Sequence, residues 1–205
     1  IFNALKNNVF GTITLLENSI NYNVKKFVFI STDKAVRPSN IMGATKRLSE
    51  IYLQSRSENV KDKIIISIVR FGNVFASTGS AIPLFLSQIK KGGPVTITHQ
   101  DITRYFMTIK EAVGLVLEAN HLALGGEVFV LNMGQPFKII DLAKKIIKIS
   151  GYTEKNSSNP LGDINIEITG LRPGEKLHEE LLIGNNPIIT SNENIFKANE
   201  DFIKW

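Results

Sequence analysis

Ser31-Thr32-Asp33-Lys34 sets two hydroxyls, a carboxylate and an amine on four consecutive residues. A second amine, Lys46, follows in Asn40-Ile41-Met42-Gly43-Ala44-Thr45-Lys46. The apolar run Phe27-Val28-Phe29-Ile30 comes directly before the first group, so these residues fall on the turn where a buried strand ends. In an open parallel sheet the crevice outside the strand C-termini is where ligands bind. A strand-end hydroxyl and a helical lysine are the parts of a hydride-transfer site. The hydroxyl hydrogen-bonds the alcohol being oxidised, and the lysine holds a cofactor ribose and lowers a neighbour's pKa. The plainer reading of the same residues is a polar loop capping the next helix, with Lys46 solvated.

The spacing predicts which side chains share a direction. Met42 and Lys46 are one helical turn apart and project from one face. Thr32 and Lys34, two apart on an extended turn, point together while Asp33 points elsewhere.

The elements that position these residues alternate. Helices are predicted over Asn3–Asn21, Gly43–Arg56, Ala81–Lys90, Ile109–Ala123 and Ile139–Ser150, and strands over Phe27–Ser31, Ile64–Phe71 and Glu127–Met133. Ile64–Phe71 is apolar on both faces, as central parallel strands are. Ile164–Thr169 alternates like an edge strand, Glu175–Leu182 reads as a short helix after a Pro-Gly turn, and the Asn-rich end from Gly184 reads as a loose tail. The αβαβ order indicates a doubly wound sheet. Residues 1–75 are expected to form half of a dinucleotide-binding domain. Residues 76–205 are expected to form a substrate lobe, with 127–149 returning to the sheet. The chain opens on Ile1 with a helix rather than a strand, and no Gly-x-Gly-x-x-Gly occurs, so it reads as a piece lacking the N-terminal strands.

Composition narrows the function classes. The 205 residues are 43% hydrophobic and 21% charged, ordinary for a chain that buries a core. The net charge of +5 is spread over scattered lysines, without the basic tract and interleaved aromatics of a nucleic-acid binder. There are no cysteines, which removes disulfides and thiol chemistry and fits a cytoplasmic location. No apolar run reaches the ~18–20 residues that cross a bilayer. His99, His121 and His178 lack metal-ligand spacing, and Gly170–Lys176 has the wrong spacing for a phosphate loop.

Gly79-Ser80 ahead of the Ala81–Lys90 helix offers backbone N–H groups to an anion. Arg104 and Arg172 can each grip phosphate bidentately, and Glu175 suits ribose hydroxyls.

Ser31 to Arg47 as a whole resembles the extended short-chain dehydrogenase/reductases, specifically the nucleotide-sugar 4,6-dehydratases of polysaccharide biosynthesis. So do Asn8–Thr12, Arg70–Val74, Gly79–Phe85, Gly92–Thr98, Thr103–Thr108 and Arg172–Leu177. The resemblance runs nearly end to end. It implies a Rossmann-type fold, here incomplete, with a small C-terminal α/β substrate lobe. It also implies bound NAD, with NADP as the alternative, and a UDP-N-acetylglucosamine-type substrate turned into a 4-keto-6-deoxy sugar nucleotide for capsule, O-antigen or protein glycosylation.

In such enzymes C4 of the sugar is oxidised transiently, water leaves across C5 and C6, and the hydride returns to C6. The resemblance makes Asp33 the acid and Lys34 the base. It puts Asn8, Ser31, Lys46, Phe71 and Gly72 at the cofactor, and Asn73, Ser80, Val95, Thr96, Arg104, Arg172 and Glu175 at the nucleotide. Val95 and Thr96 fall on the strand beside the uracil. Met42 stands where most of the superfamily has a tyrosine, and a thioether transfers no proton. The branch with methionine here is largely the long membrane-anchored dehydratases, which leaves room for association with the cytoplasmic face of a membrane through segments outside this sequence; a homo-oligomer is expected as well. The C4 proton then leaves through Thr32, Asp33 or water. The rival readings are a 4-epimerase, a C5-inverting dehydratase, and a non-catalytic nucleotide-sugar-binding subunit.

Overall fold

The computed structural model describes residues 1–75, 80–184, 186–200 and 203. Gly79, one of the expected anion-binding residues, lies outside them. The chain divides into two units: residues 1–72, 110–132 and 180–205 form the first, and residues 73–109 and 133–179 the second.

The first unit opens with a continuous helical stretch: α1 (Phe2–Ala4), a π-helical segment (Leu5–Phe10) and α2 (Gly11–Asn21). Strand β1 (Lys26–Thr32), a 3₁₀ turn (Asp33–Ala35), α3 (Ile41–Val60) and β2 (Ile65–Phe71) follow. The second unit begins with β3 (Asn73–Val74), α4 (Ala81–Lys90), β4 (Val95–Ile97), β5 (Thr103–Arg104) and β6 (Phe106–Met107). The chain continues through α5 (Ile109–Leu122) and β7 (Val128–Leu131). Next come β8 (Phe137–Lys138), α6 (Ile139–Ile149), β9 (Glu154–Lys155) and β10 (Ile164–Ile168). The end carries β11 (Ile188–Ile189) and β12 (Ile195–Lys197).

In the first unit the sheet order is β1-β2-β7-β12-β11. The β1–β2 and β2–β7 pairs are parallel, with Thr32 opposite Phe71 and Arg70 opposite Val130, while β12 runs antiparallel to β7. This is the parallel α/β sheet expected from the element order. Five of the seven residues of β2 are buried, as befits a central strand covered on both faces. Leu16 of α2 and Leu53 of α3 pack with Phe29, Ile66, Ile68 and Val128, which fixes both helices on the sheet.

The second unit has its own core, in which Phe85, Ile89, Val95, Ile97, Ile139, Ala143, Ile147 and Ile164 meet. Ile139, Ala143 and Ile147 recur at helical spacing and form the buried stripe of α6. Where 127–149 was expected to return to the sheet as a block, β7 lies in the first unit's sheet and α6 in the second unit.

Three local expectations differ from the structure. Ile164–Thr169 is not an edge strand, because β10 sits between β4 and β9. Glu175–Leu182 does not form a helix. Gly174 takes φ 74°, and the Glu175 carboxylate accepts the Arg172 N–H at 3.1 Å, so a side-chain-closed turn replaces helical bonding. The tail is not loose either: Ile195 is fully buried opposite Leu131, and Thr190 Oγ1 closes the β11–β12 turn on the Ile195 carbonyl at 2.7 Å. Its asparagines and threonine are the turn chemistry of a short hairpin.

Candidate active site

Strand β1 delivers Thr32 to the sheet's C-terminal edge, and the chain turns at once into the 3₁₀ segment. That turn overturns the expected side-chain directions. Thr32 Oγ1 donates to Asp33 Oδ1 at 2.7 Å and Lys34 Nζ donates to the same oxygen at 3.0 Å, so Asp33 sits between its neighbours rather than away from them. The Asp33 side chain is fully buried and that of Lys34 a quarter exposed.

Helix α3 starts against this turn. Asn40 caps it by accepting the Gly43 N–H at 2.9 Å. A Cβ on Gly43 would stand 2.1 Å from the Lys34 carbonyl oxygen, so only glycine lets the helix approach so closely. Further along α3, Lys46 Nζ donates to the Ile30 carbonyl at 2.9 Å and lies 4.4 Å from the centre of the Phe29 ring. Burial pulls the Lys46 amine below its ordinary pKa, against the opposing pull of Glu50. Met42 is 41% exposed.

Asn8 and Ser31, expected at a cofactor, are engaged within the fold. Asn8 Nδ2 donates to Thr45 Oγ1 at 2.9 Å, and Ser31 Oγ donates to Glu50 Oε1 at 2.6 Å. Phe71 ends β2, and Gly72 follows it.

In the second unit a cavity of about 280 Å³ is lined by Asn73, Ser80, Thr96, Arg104, Arg172 and Glu175, six of the seven residues expected to bind the nucleotide. The seventh, Val95, is buried in the core and does not line this cavity. Ser80 stands at the N-cap of α4 without capping it by its side chain. Arg104 pairs with Glu175 at 3.1 Å and Glu179 at 3.2 Å, and Glu175 also accepts from Thr98 at 3.0 Å. Asn73 Nδ2 donates to the Tyr105 carbonyl at 3.1 Å. Arg172 is exposed.

A family model described as "Polysaccharide biosynthesis protein" matches residues 1–200. The chain belongs to that family. Among its relatives, the capsular polysaccharide biosynthesis protein CapD of Staphylococcus aureus is 58% identical over 87% of this chain and 28% of its own length. A UDP-glucose 4-epimerase of Rickettsia rickettsii is 37% identical over 87% of this chain and 50% of its own length. The chain thus spans between about a quarter and a half of these relatives.

The crystal structure of Pen from Bacillus thuringiensis superposes with TM-score 0.86 at 35% identity, covering 99% of this chain and 61% of Pen. A dTDP-glucose 4,6-dehydratase from Bacillus anthracis in complex with NAD shares the fold at TM-score 0.69 and 17% identity, over 86% of this chain and 59% of its own. The Rossmann-type fold expected from the sequence is therefore the fold of this family member.

Sequence reasoning missed two groups that hold these sites together. Arg70 and Glu50 have fully buried side chains and meet through two bonds of 2.7 Å, and Glu200 closes on the other side of the guanidinium. Gln88 clasps Thr96 twice, donating to its hydroxyl at 2.7 Å and accepting its N–H at 3.1 Å. An arginine inside the apolar run of β2 was the available signal for the first, since arginine is almost never fully buried unless paired. Gln88 sits on an amphipathic helix with nothing to set it apart. Among the described residues no cluster of metal ligands occurs, and no helix is long and apolar enough to cross a membrane.

Proposed function

We propose that this family member is the catalytic portion of a nucleotide-sugar 4,6-dehydratase acting on a UDP-N-acetylglucosamine-type substrate with NAD. The observation that carries the reading is the Thr32–Asp33–Lys34 chain, hydroxyl to carboxylate to amine at 2.7 and 3.0 Å. A 4-epimerase handles a proton at the C4 hydroxyl alone. A dehydratase also takes a proton from C5 and gives one to the departing C6 hydroxyl, so it needs a second acid/base pair.

The residues present fit a dinucleotide. An ammonium has three N–H donors; the Ile30 carbonyl takes one from Lys46, and ribose hydroxyls suit the others. Bound NAD would supply the hydride acceptor, and later the donor, for the sugar. The chain's own groups move the protons. Transfer of one proton from Lys34 Nζ to Asp33 Oδ1 along their 3.0 Å contact leaves a carboxylic acid and a free amine in one step. A neutral pair is what a fully buried carboxylate favours once substrate excludes water. The amine then takes the C5 proton and the acid protonates the leaving hydroxyl. Oxidation at C4 also releases the alcohol's proton, which Thr32 Oγ1 would pass on to water in place of the tyrosine that Met42 replaces.

The second unit supports the nucleotide role. Arg104 and Arg172 line its cavity with Asn73 and the start of α4, a set of donors suited to a diphosphate.

The test is the product formed from UDP-N-acetylglucosamine by the intact protein in heavy water, read by NMR. A 4-keto-6-deoxy sugar carrying deuterium at C5 is expected. A 4-epimer with no 4-keto product would establish the epimerase instead, and binding without conversion would leave a nucleotide-sugar-binding subunit. Lys46→Ala should lower turnover by about 100-fold or more, the usual cost of losing a proton-handling or orienting group.

A further inference from the structure

The Lys46 amine is held by a backbone carbonyl of β1, yet Lys46 itself rides on α3. Its position therefore depends on how firmly α3 is fixed against that strand. One side chain makes this connection directly. Glu50, one turn beyond Lys46 on α3, accepts from Ser31 Oγ at 2.6 Å, and Ser31 follows Ile30, whose carbonyl holds the amine. The same carboxylate is gripped by Arg70 of β2 through Nε and Nη2, each at 2.7 Å, and by Arg47 at 3.0 Å.

A fully buried carboxylate is costly unless paired and hydrogen-bonded. Here two arginines and a second carboxylate, Glu200, balance it: Arg70 and Arg47 both reach Glu200. Two cations and two anions close the cluster with no surplus charge.

We infer that Glu50 is a positioning residue for this site: it locks α3 to the end of β1 so that the Lys46 amine stays on the Ile30 carbonyl beside the Thr32–Asp33–Lys34 turn. Arg70, Arg47 and Glu200 hold Glu50 in place. The functional consequence rests on the dehydratase reading, whereas the placement of the amine does not. A merely stabilising ion cluster would raise the melting temperature and leave the amine indifferent to its loss.

Ser31→Ala and Glu50→Gln in the intact protein separate the two roles. Ser31→Ala removes only the link from strand to carboxylate and leaves the charges paired. Glu17→Gln is the control. Glu17 ties α2 to the later part of α3 through Arg56 at 2.9 Å and Tyr52 at 2.9 Å. The readout is competitive acetylation of Lys46 by peptide mass spectrometry, normalised to the exposed Lys61, together with kcat and KM.

Ser31→Ala is expected to raise Lys46 acetylation and lower kcat by about fivefold each, the equivalent of one hydrogen bond of about 1 kcal/mol, with KM unchanged. Glu50→Gln should do more, and Glu17→Gln should leave Lys46 labelling as in wild type. Folded Ser31→Ala protein with wild-type labelling would overturn the inference. So would Glu17→Gln raising Lys46 labelling as much as Ser31→Ala, which would mean a general loosening of α3. Labelling needs no turnover. A wild-type protein that gives no dehydration product, yet shows the Ser31→Ala labelling change, would sink the dehydratase reading and keep the positioning role.

Discussion

Each unit holds an arginine between two glutamates, and the two clusters are built for different ends. In the first unit Arg70 is sealed: its side chain and that of Glu50 expose nothing, and Glu200 exposes 4%. Burial opposes the charge on Arg70, but the bonds from Glu50 and then Glu200 more than offset it and raise the guanidinium's proton affinity. In the second unit Arg104 and Glu175 are 12% and 21% exposed and line an open cavity. A sealed pair has no competitor for its partners and can only fix geometry. A pair at a cavity wall can exchange a carboxylate for an incoming phosphate of the same charge and similar shape, at little net cost. The same residue types thus form a sealed fastener in one place and, on the nucleotide-binding reading proposed above, a loaded receptor in the other.

Removing each arginine in turn tests that contrast. Arg70→Met leaves two buried carboxylates sharing Arg47 alone and should cost roughly 3–5 kcal/mol of folding stability, measured by denaturant unfolding. Arg104→Ala should weaken UDP binding by roughly 10- to 100-fold, the worth of a charged hydrogen bond of about 1.5–3 kcal/mol, while the melting temperature shifts little. If Arg104→Ala unfolds the protein as Arg70→Met does, the contrast between fastener and receptor is lost.

Glu200 sharpens it through pH. Burial pushes its pKa up, but the hydrogen bonds and charge of Arg70, with Arg47, pull it below the ordinary value. A carboxylate lowered on folding adds stability that is full above its unfolded pKa of about 4.3 and is lost as pH falls through its folded value. Wild type should therefore lose stability below about pH 4.3, and Glu200→Gln should lack that component; identical acid profiles would dissociate Glu200 from the cluster. Gln88→Ala should have the smallest effect, about 1 kcal/mol in UDP affinity, by releasing Thr96.

The sequence displayed what local rules can carry. Helix α4 came out with its ends as read, because its apolar spacing is strong and Gly92-Gly93-Pro94 stops it. The Ser31–Lys46 string named the residues of the first-unit site, and Thr32, Asp33 and Lys34 do come together. Their geometry was misread, since a 3₁₀ turn and an extended one have the same composition. Six of the seven residues expected at the nucleotide share one cavity, and Val95, whose alternation with Thr96 puts it on the core face, does not line it. What could not be seen was pairing at long range. Glu200 stands 130 residues from Arg70, in a stretch whose asparagines read as tail, and no periodicity connects the two.

That separation has a consequence for how the molecule is made. During synthesis Glu50 and Arg70 emerge within about 20 residues of each other, whereas Glu200 follows Arg70 by 130 residues. A chain lacking Glu200 would keep the Ser31–Glu50 latch on its lysine-bearing helix but leave the interior guanidinium with one of its two carboxylates missing.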